Sequence, residues 1–110
     1  MSQGNGILMK DIPTADRPRE RMVKYGADQL SKADLIAILL RTGTKGISVL
    51  DISSQILKQY QTLDALSRAS LDELRKIKGV GRDKAIALKA AFRIARLLVE
   101  EVQGEAPVLD

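Results

Sequence analysis

Residues 74–88 constrain this chain more than any other stretch. They read Leu74-Arg75-Lys76-Ile77-Lys78-Gly79-Val80-Gly81-Arg82-Asp83-Lys84-Ala85-Ile86-Ala87-Leu88. Apolar residues at 74 and 77 share one helical face, Gly-Val-Gly interrupts it, and Ala85 and Leu88 resume an apolar face at helical spacing. Glycine at both ends of a three-residue bend frees the backbone there and clears side chains from its surroundings. The segment therefore specifies two helices joined by a tight corner.

That spacing resembles a helix-hairpin-helix, a module that grips nucleic-acid backbone through main-chain amides. The first amides of a helix have no intrahelical acceptor and sit at the positive end of its dipole. A glycine-lined bend adds further amides and lets an anion approach. Val80 is expected to turn inward as the anchor. Gly79 and Gly81 would present amides to a phosphate, Arg82 and Lys84 would add charge, and Lys78 would flank. None of these groups reads a base edge, so binding would be independent of sequence. Asp83 stands two residues past the bend and opposes this reading. A hairpin of this shape can instead pack against protein, so a protein-interaction or interdomain-packing module with a degenerate hairpin is the alternative reading.

Charge distribution supports a polyanion. The 110 residues carry a net +4, but residues 68–96 hold nine basic against three acidic residues, and the rest of the chain is net negative. The cations thus gather around the bend. There is no Cys and no His, which excludes disulfides, haem, iron–sulfur clusters, Cys/His nucleophiles and the usual zinc sites. No cofactor or metal is expected. A cysteine-free chain suits a reducing cytoplasm, where we place it. The longest apolar run, Leu35–Leu40, is far short of the roughly 20 residues needed to span a bilayer.

Apolar periodicity and capping signals give an all-α domain of five or six helices. The first runs from Asp16 or Arg17 to Tyr25, with Asp16 as cap and Gly26 as stop. Ser31 with Asp34 caps a second, ending near Arg41, and Ser48 with Asp51 caps a third, ending near Tyr60. Residues 62–67 form one or two turns. Ser70 with Glu73 caps a helix from Leu71 to Lys78, and a long helix runs from Arg82 to about Val102. Its polar stripe is narrow (Arg82, Lys89, Arg93, Arg96, Glu100), so its wide apolar sector should pack on two sides or need a cover. Residues 1–15 read as a flexible leader, 16–102 as the helical domain, and 103–110 as the start of a linker.

A shift of 36 residues lays Leu35 on Leu71, Ile38 on Leu74, Gly43 on Gly79, Val49 on Ala85, Ile52 on Leu88 and Ile56 on Phe92. Two such hairpins would form a tandem, pseudo-twofold pair, since neither buries its apolar faces alone. In this register Thr44-Lys45 replace Val80-Gly81. Thr44, Lys45 and Gly46 are then a second, weaker candidate site.

Other chemistries fail. Neither glycine turn matches Gly-x-x-x-x-Gly-Lys-Ser/Thr, so no nucleotide loop is indicated. Hairpin-bearing glycosylases use a lysine just after the turn, where Asp83 stands. No acid/base or nucleophile constellation is visible, and the chain is expected to be non-enzymatic.

Ile12-Pro13, Asp16-Arg17-Pro18-Arg19-Glu20, Leu30-Ser31, Ala33 to Gly46, Ile77-Lys78-Gly79-Val80-Gly81 and Lys84-Ala85 together resemble the N-terminal region of bacterial RadC-like proteins. Arg41-Thr42-Gly43-Thr44-Lys45-Gly46 is the most distinctive stretch, and the resemblance covers about residues 9–100. It implies a helical helix-hairpin-helix domain that precedes a JAB/MPN-type domain bearing a His- and Asp-containing zinc motif. Any metal-dependent activity would reside in that C-terminal domain. The resemblance also brings a DNA-repair label, and makes the C-terminal domain an expected partner alongside DNA backbone.

Overall fold

The computed structural model describes residues 8–13 and 16–104. Among these, six α-helices follow one another with no strand: α1 Pro18–Tyr25, α2 Lys32–Leu40, α3 Val49–Tyr60, α4 Leu63–Arg68, α5 Leu71–Arg75 and α6 Arg82–Gln103. Short 3-10 turns at Met9–Asp11 and Ala27–Gln29 flank α1.

Local chemistry sets most of these boundaries. Ser31 Oγ accepts from Asp34 N while Asp34 Oδ2 accepts from Ser31 N, so two otherwise orphaned donors are satisfied at the start of α2. Ser70 and Glu73 repeat that exchange at α5. Ser48 and Thr62 cap α3 and α4 through their hydroxyls. Asp16 does not cap α1: Arg17 occupies that position and makes no side-chain cap. The fixed φ of Pro18 in the first turn makes a capping side chain less necessary there. The α5 helix ends at Arg75, three residues earlier than expected. Its chain continues as tight turns, with Ile77 N donating to Leu74 O and Val80 N to Ile77 O.

One apolar core joins the elements. Ile36, Ala37 and Leu40 of α2 meet Val49, Ile52 and Ile56 of α3. Leu66, Ala69, Leu74, Ile77, Val80, Ala85 and Leu88 complete it from the second half. Met9 also packs against this core, so that part of the supposed leader is anchored; residues 1–7, 14–15 and 105–110 lie outside the described set. Arg21 of α1 donates to Asp34 Oδ2 at 2.9 Å. The acceptor is the carboxylate that caps α2, so one residue both starts that helix and ties α1 to it.

The expected correspondence between the two halves divides into two registers. Along the helices the 36-residue shift holds: Val49 and Ala85 are both buried, as are Ile52 and Leu88, and Leu35 and Leu71 are both partly exposed. At the tips the register is 33. Gly46 and Gly79 share positive φ, 81° and 90°. Each is third in a four-residue turn, closed by Ile47 N to Thr44 O at 2.9 Å and by Val80 N to Ile77 O at 2.9 Å, the arrangement that favours glycine. The equivalent tips are therefore Lys45-Gly46-Ile47-Ser48 and Lys78-Gly79-Val80-Gly81. Gly43 is not the counterpart of Gly79. It lacks positive φ and is needed because a Cβ there would fall on the Ile47 carbonyl and 2.8 Å from Val49 N. The registers differ because α6 begins three residues further ahead of its first buried side chain than α3 does.

The wide apolar sector of α6 is only half used. Ala85 and Leu88 are fully buried and Phe92 packs on the core. Beyond them Ile94 (67 % exposed), Leu98 (59 %), Val99 and Val102 (78 %) face outward. A 22-residue helix is about 33 Å long, and its second half reaches past the elements available to cover it.

Candidate nucleic-acid interface

The α5–α6 tip has the expected internal anchor. Val80 is buried among the core residues. Gly79 is held against the other hairpin: a Cβ there would meet Ile52 Cδ1 at 2.6 Å and Thr44 Cγ2 at 3.3 Å. The two tips are thus neighbours. Lys45 and Gly46 from one and Lys78 from the other line a single groove, together with Asp51, Ser54 and Gln55.

Backbone donors are free where the sequence placed them. The first α6 amide to find an acceptor is Ala85 N, which donates to Gly81 O at 3.0 Å. Gly81 is the cap of α6 and has no side chain to offer. Among the described residues, the amides of Gly79, Gly81, Arg82, Asp83 and Lys84 therefore donate to nothing in the protein. Gly81, Arg82 and Asp83 are exposed, and a Cβ on Gly81 would meet nothing within 4 Å. The approach to these donors is open.

The α2–α3 tip is more closed. Ser48 caps α3 and its Oγ accepts from Asp51 N at 3.1 Å, so one of the corresponding amides is already engaged. Ile47 N and Thr44 N are tied to each other's carbonyls. Ser48 was missed as a tip residue. Aligning Lys45-Gly46-Ile47-Ser48 directly with Lys78-Gly79-Val80-Gly81 would have found it.

Lys84, expected as a phosphate contact, is already engaged within the protein. Its Nζ donates to Leu40 O at 2.9 Å and Thr42 Oγ1 at 3.1 Å. Leu40 ends α2, and Arg41 just after it turns through φ 74°, ψ −56°. The ammonium thus caps the negative end of α2 and joins the two hairpins. At 100° per residue Lys84 lies off the polar stripe of α6, but helical angle does not reveal that a carbonyl waits there. Arg82 and Lys78 remain exposed cations at the tip. Arg82 touches Asp83 at 3.5 Å, both side chains being largely exposed, a pair of the kind that contributes little and opens easily.

No His/Cys/Asp/Glu group able to hold a metal ion occurs among the described residues. No helix among them is long and apolar enough to cross a membrane.

Comparison with known proteins gives the family. The family model described as UPF0758 N-terminal matches residues 9–86. A UPF0758 protein of Shouchella clausii is 44% identical over 103 residues, covering 94% of this chain and 45% of that protein. One from Clostridium botulinum is 47% identical over 92 residues, and one from Staphylococcus aureus 46% over 88. These cover 81% and 80% of this chain but only 40% and 39% of the relatives, so the chain spans less than half of their length. No solved structure gives a significant match. With its model matched over most of the helical domain and close relatives sharing nearly half of the aligned residues, the chain belongs to the UPF0758 family, the RadC-like group, and corresponds to that family's N-terminal domain.

Proposed function

We propose that this domain is a non-catalytic module that holds the phosphate backbone of DNA without reading sequence. The α5–α6 tip acts as a helix-hairpin-helix. The observation that carries this is the run of unengaged amides at Gly79, Gly81, Arg82, Asp83 and Lys84, of which Gly81, Arg82 and Asp83 are exposed at a side-chain-free cap. A phosphodiester would accept from Gly81, Arg82 or Asp83 N, with Arg82 and Lys78 neutralising its charge and Val80 fixing the bend. The neighbouring Lys45–Ser48 tip extends the same surface with fewer free donors. Contact with roughly two to four phosphates gives weak binding and a log–log salt slope near −0.9 per phosphate. In the longer relatives such a module would position whatever activity the remaining sequence holds.

The test is anisotropy of a labelled duplex at several salt concentrations, for wild type and for Lys78→Glu with Arg82→Glu. Both residues are exposed and lie outside the core, so the double variant keeps its fold. Weakened binding with a shallower salt slope supports the reading. Absent or salt-insensitive binding, unchanged in the variant, refutes it.

A second reading has its own observation. The apolar residues Ile94, Leu98, Val99 and Val102 stand uncovered on the last three turns of α6. In relatives more than twice as long as this chain's match, that face would pack against the rest of the protein. The two readings are compatible, because the tip and the bare face occupy opposite ends of α6.

A further inference from the structure

A second cationic site lies away from the hairpin tips. Arg68 at the end of α4 and Lys89, Arg93 and Arg96 on the middle of α6 line an open groove of about 360 Å³ with Ser67 and Phe92. Neutral oxygens shape it. Lys89 Nζ donates to Ser67 O at 3.1 Å and Arg96 Nη2 to Ser67 Oγ at 3.1 Å, while Ser67 Oγ gives its own proton to Asp64 O. These contacts fix two cations in place without cancelling their charge. Among the described residues three carboxylates attend these cations, and Glu73 is the one whose charge feels Lys89. Asp64 pairs with Arg68 at 3.1 Å across exposed side chains, and Glu100 lies 3.8 Å from Arg93. Four cations therefore face three anions, with Arg96 the one held by neutral oxygen alone. Each cation keeps unused donors, because an ammonium has three and a guanidinium five.

The groove is separate from the tip. Arg96 follows Arg82 by fourteen residues, which places it about 21 Å along a helix whose N-terminus faces the phosphate. Its size does not suit a duplex: it admits something of nucleotide dimensions, and Phe92 gives it an apolar wall. Single strands are held by cationic grooves that track the backbone beside aromatic side chains, and this groove offers the cations and one such side chain.

We propose that the α4–α6 groove binds a single-stranded nucleic-acid segment, its phosphates on Arg68, Arg93 and Arg96 and a base against Phe92. The choice of a nucleic acid as polyanion rests on the DNA reading of the tips; the site itself is separate. Two strands would then be held at once, one backbone at the tips and one single strand beside α4.

The experiment measures anisotropy of a labelled short oligothymidylate and of a labelled duplex against three proteins: wild type, Arg68→Glu with Arg93→Glu, and Lys78→Glu with Arg82→Glu. Arg68 and Arg93 hold only surface ion pairs, so their replacement leaves the fold intact. The paired Arg68→Gln, Arg93→Gln variant checks that any loss comes from removed rather than reversed charge. The groove variants are expected to bind the oligothymidylate about tenfold more weakly, with a salt slope shallower by about 1.4, from about 0.7 per single-strand phosphate lost. Duplex affinity should change less than about twofold. Unchanged oligothymidylate binding, or a loss confined to the tip variant, overturns the proposal. So does inorganic phosphate perturbing the arginine side-chain resonances in NMR when the oligothymidylate does not, which marks a small-anion pocket. If wild type binds the oligothymidylate through the groove but ignores duplex, the tip reading fails and this one stands.

Discussion

Replacing Gly79 by alanine separates two physical demands that meet at the α5–α6 tip. The residue has φ +90°, and its absent Cβ would lie 2.6 Å from Ile52 Cδ1. Left-handed backbone costs an alanine about 1–2 kcal/mol. Ile52 is fully buried among the core residues, so the intruding methyl adds an overpacking cost of about 1–3 kcal/mol. The lower unfolded-state entropy of alanine returns about 0.4–1 kcal/mol. The net expectation is a loss of about 1.5–4 kcal/mol. Gly46 is the internal control. It has nearly the same φ, +81°, but nothing within 4 Å of its Cβ position. Gly46→Ala should cost only about 0.5–1 kcal/mol, from strain less the entropy return. Urea unfolding followed by circular dichroism measures both. Equal losses would refute the packing of the two tips through Ile52 and Gly79. Loss below about 0.5 kcal/mol at both positions would refute the turn conformations as well.

Gly81→Ser should stabilise the domain by a few tenths of a kcal/mol in thermal unfolding, since serine is the better cap, yet weaken duplex binding. The new hydroxyl would take the Lys84 amide as Ser48 takes that of Asp51; tighter binding would contradict this. Lys84→Met keeps the apolar stem but removes the cap on Leu40 O and Thr42 Oγ1. A loss of about 1–2 kcal/mol in urea unfolding is expected for a charged hydrogen bond at a partly exposed site, and no loss would show that the bridge is idle. The carboxyl of Glu73 is held below its ordinary value of 4.5, first by the backbone N–H of Ser70 and next by its hydroxyl. A depressed folded-state pKa stabilises above pH 4.5, and that contribution disappears as pH falls through the folded value. Glu73→Gln should therefore flatten the acid limb of a melting-temperature profile below pH 4.5, and an unchanged limb would contradict the capping-box account.

The legible parts of this fold were those written in short-range chemistry. Ser31/Asp34, Ser48/Asp51 and Ser70/Glu73 each marked a helix start because capping is decided within four residues. The open α6 cap at Gly81 was legible for the same reason. Long-range placement was not. Lys84 finds its partners at Leu40 and Thr42, more than forty residues away, and helical angle alone cannot supply an acceptor. The tip register was obscured because the helices repeat at 36 residues and the turns at 33, so matching the larger apolar set put Gly43 on Gly79. The bare end of α6 shows the complementary limit: apolar spacing says that a face wants cover, and only the neighbouring elements decide whether it receives any. The Arg68–Arg96 groove needed α4 and α6 brought together before its charges could be recognised as one site.

Backbone amide resonances give the most direct trial of the claim that free peptide donors at a glycine-lined cap hold a phosphodiester. Titrating the isotopically labelled domain with a short duplex should move the amides of Gly79, Gly81, Arg82 and Asp83 most, with smaller shifts at Lys45 and Gly46. Shifts that spare Gly79–Asp83 while appearing elsewhere, or none at concentrations that saturate anisotropy, would contradict it.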